Sequence, residues 1–142
     1  ILRVISEVGV DLSAFPTEKH FESWLCLRPN RRISGKKVLS SRTKASSNRA
    51  AAAFRQAAVS VGRSDTELGA YFRRMRGRKG PASAVTATAH KIARIYYSLL
   101  TQGGEYKEQG AKVYDQKQHE RMLKSLRMRA RTLGYELVEK AA

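Results

Sequence analysis

The chain has 142 residues, and its 42% hydrophobic content can fill a single modest core. Its 28 Lys and Arg against 12 Asp and Glu give a formal net charge of +16, a balance that bears on partners rather than on fold. Nucleic acid is the first partner that this charge indicates, an anionic membrane surface the second and acidic proteins the third, and the lack of an 18-residue apolar run argues against a spanning helix.

Apolar residues at helical spacing predict an all-α fold, a compact helical bundle of about five to six helices with one long basic loop. Residues 1–8 are typical of the end of a helix that Gly9 stops. Thr17 is a good N-cap for the second helix. Phe21 and Trp24 fall on the apolar face of that helix, which favours a core position over base stacking for both.

Further along the chain, capping and breaking residues predict the remaining helices. Asn48 can cap the third helix, and Ser64 with Glu67 has the spacing of a capping box for the fourth. Gly80-Pro81 breaks the chain and starts the fifth helix, and Asp115 is predicted to open the last one. We find no convincing strand alternation, and the basic segment between the second and third helices is predicted to be an ordered loop.

That basic segment, Arg28 to Arg49, carries eight Lys or Arg and no acid, and it contains a single Ser-Gly pair, Ser34-Gly35. Two interpretations of Ser34 stay open at this point. It can be a turn residue whose hydroxyl bonds local backbone. It can also be a nucleophile that attacks a phosphodiester, because a dense positive field activates a hydroxyl and stabilises charge on the phosphate.

Several residues would support such a reaction or bind nucleic acid. Gly35 would let the backbone approach a phosphate closely, and Arg32, Lys36 and Lys37 would supply positive charge. The predicted nucleic-acid contacts are the remaining cations of the segment and a second cluster that closes the fourth helix: Arg28, Arg31, Arg42, Lys44, Arg49, Arg73, Arg74, Arg76, Arg78 and Lys79.

A third group of polar residues lies on the fifth helix. His90, Arg94 and Tyr97 are predicted to lie opposite the apolar stripe, on a solvated face that can alternatively contact nucleic acid.

Metal and redox chemistry find little support in the sequence. The three histidines are far apart and Cys26 has no CxxC neighbour, so we predict no metal site and no cofactor in this chain. The acids are too sparse for a self-contained two-metal nuclease, since none occurs between Glu22 and Asp65. A single cysteine suits a reducing, cytoplasmic setting.

Taken together, several motifs resemble a known family. The string EVG-x-D-x-x-x-FPT-x-x-HF-x-SWL-x-L-x-P-x-x-RISG runs from Glu7 to Gly35. It resembles the C-terminal domain of bacterial insertion-sequence transposases of the DEDD, serine-carrying type related to the Piv invertase, some of which are guided by a bridge RNA. Leu68–Gly80, Thr86–Tyr106 and Lys112–Val138 look like the same family. This chain has Cys26-Leu27 where that family commonly has Gly-Leu.

The resemblance implies a specific architecture and chemistry. Residues 1–142 would be the serine-bearing helical domain of a longer protein, with residues 105–142 a possible tail helix. A RuvC-like domain outside this sequence would hold Mg²⁺ on four carboxylates. Ser34 would be the covalent nucleophile, and the isolated fragment would be inactive. The implied partners are double-stranded DNA, a structured guide RNA and further copies of the same protein in the bacterial nucleoid, with no membrane.

Three other functions stay open beside a serine recombinase. One is a non-catalytic DNA- or RNA-binding domain in which Ser34 only shapes a turn. Another is the remnant of a decayed element that keeps only the helical domain. The third is a basic protein associated with the ribosome or the nucleoid.

Overall fold

The computed structural model describes residues 2–140, and within that range six α-helices accompany one small antiparallel sheet. The helices are α1 (Leu2–Val8), α2 (Glu18–Trp24), α3 (Arg49–Val61), α4 (Glu67–Lys79), α5 (Pro81–Gln102) and α6 (Gly110–Thr132). The strands are β1 (Arg32–Ser34) and β2 (Lys37–Ser40). The predicted all-α bundle of five to six helices is therefore confirmed, and within residues 2–140 none of the helices has the length and apolar character to cross a lipid bilayer.

Aromatic rings at the centre of the core join α2 to α3 and α5. The Phe21 side chain is fully buried, and its ring lies 6.2 Å from that of Phe54 in α3 and 5.8 Å from that of Tyr97 in α5. Phe15 meets Phe21 edge-on at 5.2 Å. Aromatic pairs at these separations add attraction beyond the apolar area that they bury. Phe21 is thus a core residue, as predicted, whereas Trp24 stays 43% exposed.

Small side chains line the contact between α3 and α5. Ala50, Ala51 and Ala58 of α3 and Ala89 and Ala93 of α5 are all completely buried in the main apolar cluster. Alanine also has the highest helix propensity, so the same residues favour the helices and allow their backbones to approach. The α3–α5 pair therefore forms a tight platform on which α2 rests.

The turn between α3 and α4 corrects the predicted capping box. Thr66, rather than Ser64, is the N-cap of α4, and its hydroxyl accepts a hydrogen bond from Gly69 N at 3.1 Å. Ser64 instead donates its hydroxyl to Val61 O at 2.7 Å. A Cβ on Gly69 would lie only 2.2 Å from Ser64 O, so a glycine is required where the turn packs against α4. The predicted Asn48 cap is confirmed, because its side chain accepts from Ala51 N.

Two further predictions are wrong. The last helix begins at Gly110 rather than at Asp115, because Ala111 and Tyr114 are needed to pack against Ala70 of α4. Tyr97 is buried rather than solvated, and its hydroxyl donates to Phe15 O at 2.7 Å. A buried tyrosine with a satisfied hydroxyl contributes to the core while its polar end is paired.

The segment from Leu25 to Asn48, called the arm below, leaves the bundle between α2 and α3. Asn48 Nδ2 donates to Trp24 O at 3.4 Å and closes its base. Further out, Asn30 N donates to Arg42 O at 3.0 Å. The outer part is the β1–β2 hairpin, so the expectation of a loop without strands is wrong for residues 32–40. The two sides of the arm are therefore joined by hydrogen bonds at three places: at its base, between Asn30 and Arg42, and in the hairpin.

Cys26, at the start of the arm, has a left-handed backbone with φ of 53°, unusual for a residue with a Cβ. It is the position where the family that this chain resembles commonly has glycine. Glycine adopts such a φ without steric cost. The substitution places modest backbone strain where α2 gives way to the arm.

Glu108 ties together the N-termini of two helices. Its Oε1 accepts from Glu67 N at 2.7 Å and from Gly110 N at 3.0 Å. These bonds lower the pKa of Glu108, with the Glu67 amide the largest cause. Burial raises the pKa of Tyr106 to about 12, with Glu108 adding to the rise, so this hydroxyl stays a donor to Glu108 Oε2 at neutral pH.

We expect Glu108→Ala to lower the stability of the fold by about 1 kcal/mol at pH 7, a usual cost of losing a helix cap. Because the folded pKa is depressed, this contribution is complete above the ordinary value of 4.5 and disappears as the pH falls through the lower folded value. Thermal unfolding of the wild type and the variant should therefore converge at acidic pH. Glu105→Ala, on the same connection, is the matched control, and an equal loss in both variants would contradict the cap.

Candidate nucleic-acid interface

Ser34 ends β1 immediately before a two-residue turn formed by Gly35 and Lys36. Gly35 has φ of 57°, and a glycine at the first central position of such a turn suits the twist of a β-hairpin. All residues from Arg31 to Leu39 are exposed. The Ser-Gly pair singled out in the sequence therefore occupies the tip of the hairpin, where the serine hydroxyl faces solvent.

Cross-strand pairing gives the hairpin two chemically different faces. Ser34 pairs with Lys37, and Arg32 pairs with Ser40. Ile33 pairs with Val38, which places these two apolar side chains on the opposite face. An irregularity beside Arg32 leaves Leu39 unpaired, as in a β-bulge. Arg32 and Ser34 lie on the same face because they are two residues apart on β1. The serine and two cations consequently share one face.

The cations of the arm are free to meet a polyanion. Within residues 2–140, none of their side chains forms an ion pair or a hydrogen bond to protein, and all are exposed. These residues are Arg28, Arg31, Arg32, Lys36, Lys37, Arg42 and Lys44. Unpaired surface cations on an ordered, protruding element are a suitable surface for a phosphate backbone.

The inner half of the arm separates two cavities, and Arg31 borders both of them. One, the α4 cavity, has a volume of about 620 Å³ and lies against α4 and α5. Arg31 and Arg42 of the arm and Lys79 of α4 line it together. The structure thus places Lys79, a member of the second basic cluster, beside cations of the arm. Tyr71 and Met75 supply an apolar wall to the same cavity.

The second basic cluster is not uniform. The Arg73 guanidinium donates to Ser64 O at 2.8 Å and to Gly62 O at 3.3 Å, and Arg74 donates to the Tyr114 hydroxyl at 3.4 Å. Arg76 and Arg78 are exposed and have no such partners in the described part of the chain. Arg49, at the base of the arm, lies 3.6 Å from Glu7. Nucleic-acid contacts by these residues stay predictions, and Arg73 also serves the α3–α4 turn.

A polar group that the sequence analysis missed lies on the other side of the arm. Glu22 is buried, and its Oε2 lies 3.0 Å from His90 Nε2. Arg94 pairs with Glu18 at 2.9 Å and lies 3.4 Å from Glu22 Oε1. One signal could have found the group, since Glu18 and Glu22 recur with Phe21 on one face of α2. An acid within an apolar stripe needs a buried partner.

Within residues 2–140, no three His, Cys, Asp or Glu side chains come together as metal ligands would. The carboxylates of this chain therefore do not fit a magnesium site. Glu18 and Glu22 lie on the same face of α2, and both carboxylates are within ion-pair distance of Arg94.

Comparison with known proteins gives one match. A family model described as Transposase IS116/IS110/IS902 family matches residues 1–73, just over half of the 142 residues. The matched part contains α1, α2, the arm with Ser34 and α3. No curated protein and no solved structure matches this chain significantly.

We expect Gly35→Ala to disturb the hairpin without unfolding the bundle. A residue with a Cβ in the left-handed backbone conformation destabilises the hairpin by about 1 kcal/mol, even though open space surrounds this position. Nuclear Overhauser contacts between Ile33 and Val38 should weaken while the thermal midpoint stays unchanged. The control is Gly77→Ala, a helical site that is equally open, where the better helix former should raise the midpoint. A large fall of the midpoint in Gly35→Ala would show that the hairpin belongs to the cooperative core.

Proposed function

The chain belongs to the IS116/IS110/IS902 family of transposases, and from this premise we propose that it binds DNA and supplies Ser34 as the nucleophile for strand cleavage and exchange. The observation that carries the proposal is the tip of the arm, where an exposed serine shares one face of the hairpin with two cations and no acid. We further propose that the chain is of the DEDD, serine-carrying type, which its Ser34-Gly35 motif resembles. The arm lies entirely within the family match.

The proposed chemistry is a transesterification at phosphorus. Ser34 Oγ bonds to the phosphorus of a DNA phosphodiester while the bond from phosphorus to one deoxyribose oxygen breaks. The serine gives up its proton, and the released sugar oxygen takes one up to become a hydroxyl. The number of phosphoester bonds is unchanged, so a DNA hydroxyl can later attack the phosphoserine diester, release the serine and join a new strand.

The arm contributes charge and geometry to this step. Lys37 is directly opposite Ser34, where Cα atoms of paired antiparallel residues lie about 5 Å apart. Arg32 is two residues away on the same face. Cations at these positions would neutralise the charge that grows on the phosphate oxygens in the transition state, an effect that is strongest where donors are held in place beforehand.

Further components are proposed outside the described residues. Because the carboxylates here do not fit magnesium, we assign the metal to a RuvC-like domain, with the reaction taking place between copies of the protein on paired DNA sites. The unpaired cations of the arm and of α4 would also contact a structured guide RNA. A non-catalytic nucleic-acid-binding role for the arm is the second candidate, favoured by its seven unpaired cations independently of Ser34.

We expect Ser34→Ala, placed in the full-length transposase, to abolish the covalent protein–DNA adduct while leaving DNA affinity unchanged. The alanine removes the attacking oxygen but none of the charge. Denaturing electrophoresis with labelled DNA measures the adduct. Ser41→Ala, an exposed serine elsewhere on the arm, is the matched control and should keep it. A normal yield of adduct from Ser34→Ala would show that Ser34 is not the nucleophile, and nucleic-acid binding would then be the function of the arm.

We expect the affinity of the 142-residue chain for duplex DNA to depend steeply on salt. Seven neutralised phosphates give a slope of roughly −6 in log K against log salt, or a loss of affinity of roughly 4,000-fold for a fourfold rise in salt. Lys37→Gln should reduce that slope by about 0.9. Lys107→Gln, on the α5–α6 connection, should leave it unchanged. A flat salt profile would contradict a phosphate-binding arm.

A further inference from the structure

Only the beginning of α6 is buried in the bundle. Within residues 2–140, α4 is the only helix or strand that packs against α6, and the buried side chains of α6 are Ala111 and Tyr114. From Asp115 to Thr132 no side chain is buried, and most are exposed. The larger part of this 23-residue helix therefore offers its surface to a partner.

Basic side chains occupy one side of the exposed part of α6. They recur at intervals of three, three and four residues, so they follow one another along the helix one turn apart. Met122 and Leu126 lie on the opposite side. All four cations are exposed, and in the described part of the chain their side chains form no ion pair and no hydrogen bond to protein. These residues, called the α6 basic face below, are Arg121, Lys124, Arg127 and Arg131.

The needs of the helix itself do not explain this arrangement. No acid occurs between Glu120 and Glu136, a stretch that carries five Lys or Arg. Like charges three or four residues apart destabilise a helix, whereas acids at those spacings would stabilise it. The helix dipole favours cations only in the last turn, where Arg129 and Arg131 lie. The basic face therefore repels itself, and a bound polyanion would remove that repulsion.

We propose that the α6 basic face binds the phosphate backbone of duplex DNA, as a second DNA-binding surface of this chain. Charge complementarity identifies a polyanion as the partner, because each neutralised phosphate releases condensed counterions. Proteins that hold single strands also stack bases on aromatic side chains. Apart from the buried Tyr114, α6 has no Phe, Tyr or Trp, so a duplex fits better than a single strand.

The dimensions of the helix favour a DNA duplex over an RNA duplex. An α-helix with its side chains is about 10–12 Å in diameter, which matches the major groove of B-DNA at about 12 Å. The major groove of A-form RNA is too deep and narrow for side chains to enter. In the DNA groove, cations spread over one side of α6 reach phosphates along the groove edges without contacting bases.

This surface is separate from the DNA contacts proposed for the arm. It lies outside residues 1–73, which the family model matches. The inference rests on the proposed function for the choice of DNA as the polyanion, and it does not depend on the reaction at Ser34. Contacts by both surfaces would make the salt slope of the 142-residue chain steeper than the roughly −6 expected from the arm alone.

The test compares the double variant Lys124→Gln/Arg127→Gln with the wild-type 142-residue chain. Fluorescence anisotropy measures binding to a DNA duplex of roughly twenty base pairs, about two helical turns. Loss of two phosphate contacts should reduce the salt slope by about 1.8 and weaken binding roughly thirtyfold near 0.15 M salt. The variant should fold, because glutamine is a good helix former and the change relieves repulsion.

The matched control is Arg63→Gln/Lys107→Gln, which removes two exposed cations outside α6 and the arm. It lowers the net charge by the same amount and should keep nearly the wild-type affinity. Equal weakening in the two double variants would show that net charge alone acts, and the proposal would be wrong. An equal loss of affinity for duplex RNA and duplex DNA in Lys124→Gln/Arg127→Gln would overturn the choice of DNA.

A second measurement follows amide hydrogen exchange of the wild-type chain with and without the DNA duplex. Bound phosphates neutralise the like charges along α6, so we expect the amides from Arg121 to Arg131 to exchange more slowly in the complex. Slower exchange in the arm with unchanged exchange in α6 would overturn the proposal while leaving DNA binding by the arm intact. The adduct experiment on Ser34→Ala is independent of either outcome.

Discussion

Packing around the Phe21 ring determines where the arm stands. Phe21 contacts Phe54 of α3 and Tyr97 of α5, so the helices on either side of the arm are both held against the same third helix. The hydrogen bond from Asn48 to Trp24 then fixes the distance between the two ends of the arm. The positions of the cavity walls and of the hairpin tip therefore depend on this aromatic contact.

The cations of this chain fall into two groups, those with a partner within the protein and those without one, a difference that the net charge does not show. Some cations have a structural partner, as Arg73 has in the carbonyl oxygens of the α3–α4 turn. Lys91 pairs with Glu67 and lies 5.0 Å from the centre of the Tyr71 ring. The cations of the arm have no such partners in the part of the chain described. An unpaired cation keeps its full field for a ligand, and this difference separates binding surface from scaffold.

The sequence predicts the bundle well because apolar spacing and caps such as Asn48 are local signals. The hairpin escaped prediction for a physical reason: its strands are three and four residues long and exposed on both faces, so no alternation of buried and exposed positions marks them. The Glu22–His90 contact joins residues 68 positions apart, which no local pattern reveals. Ser34 and its cations were found from composition, but the placement of Lys37 on the same face as Ser34 depends on the register of the hairpin.

The inner part of the arm packs against the bundle, with Leu25 and Leu27 buried in the core, but among the described residues no helix packs against the β1–β2 hairpin. Replacing its outer residues thus leaves the buried aromatic and alanine contacts intact. Residues of the hairpin around Ser34 can therefore vary without disturbing the fold of the bundle. Differences in nucleic-acid specificity could therefore arise in the hairpin while the helical bundle stays the same.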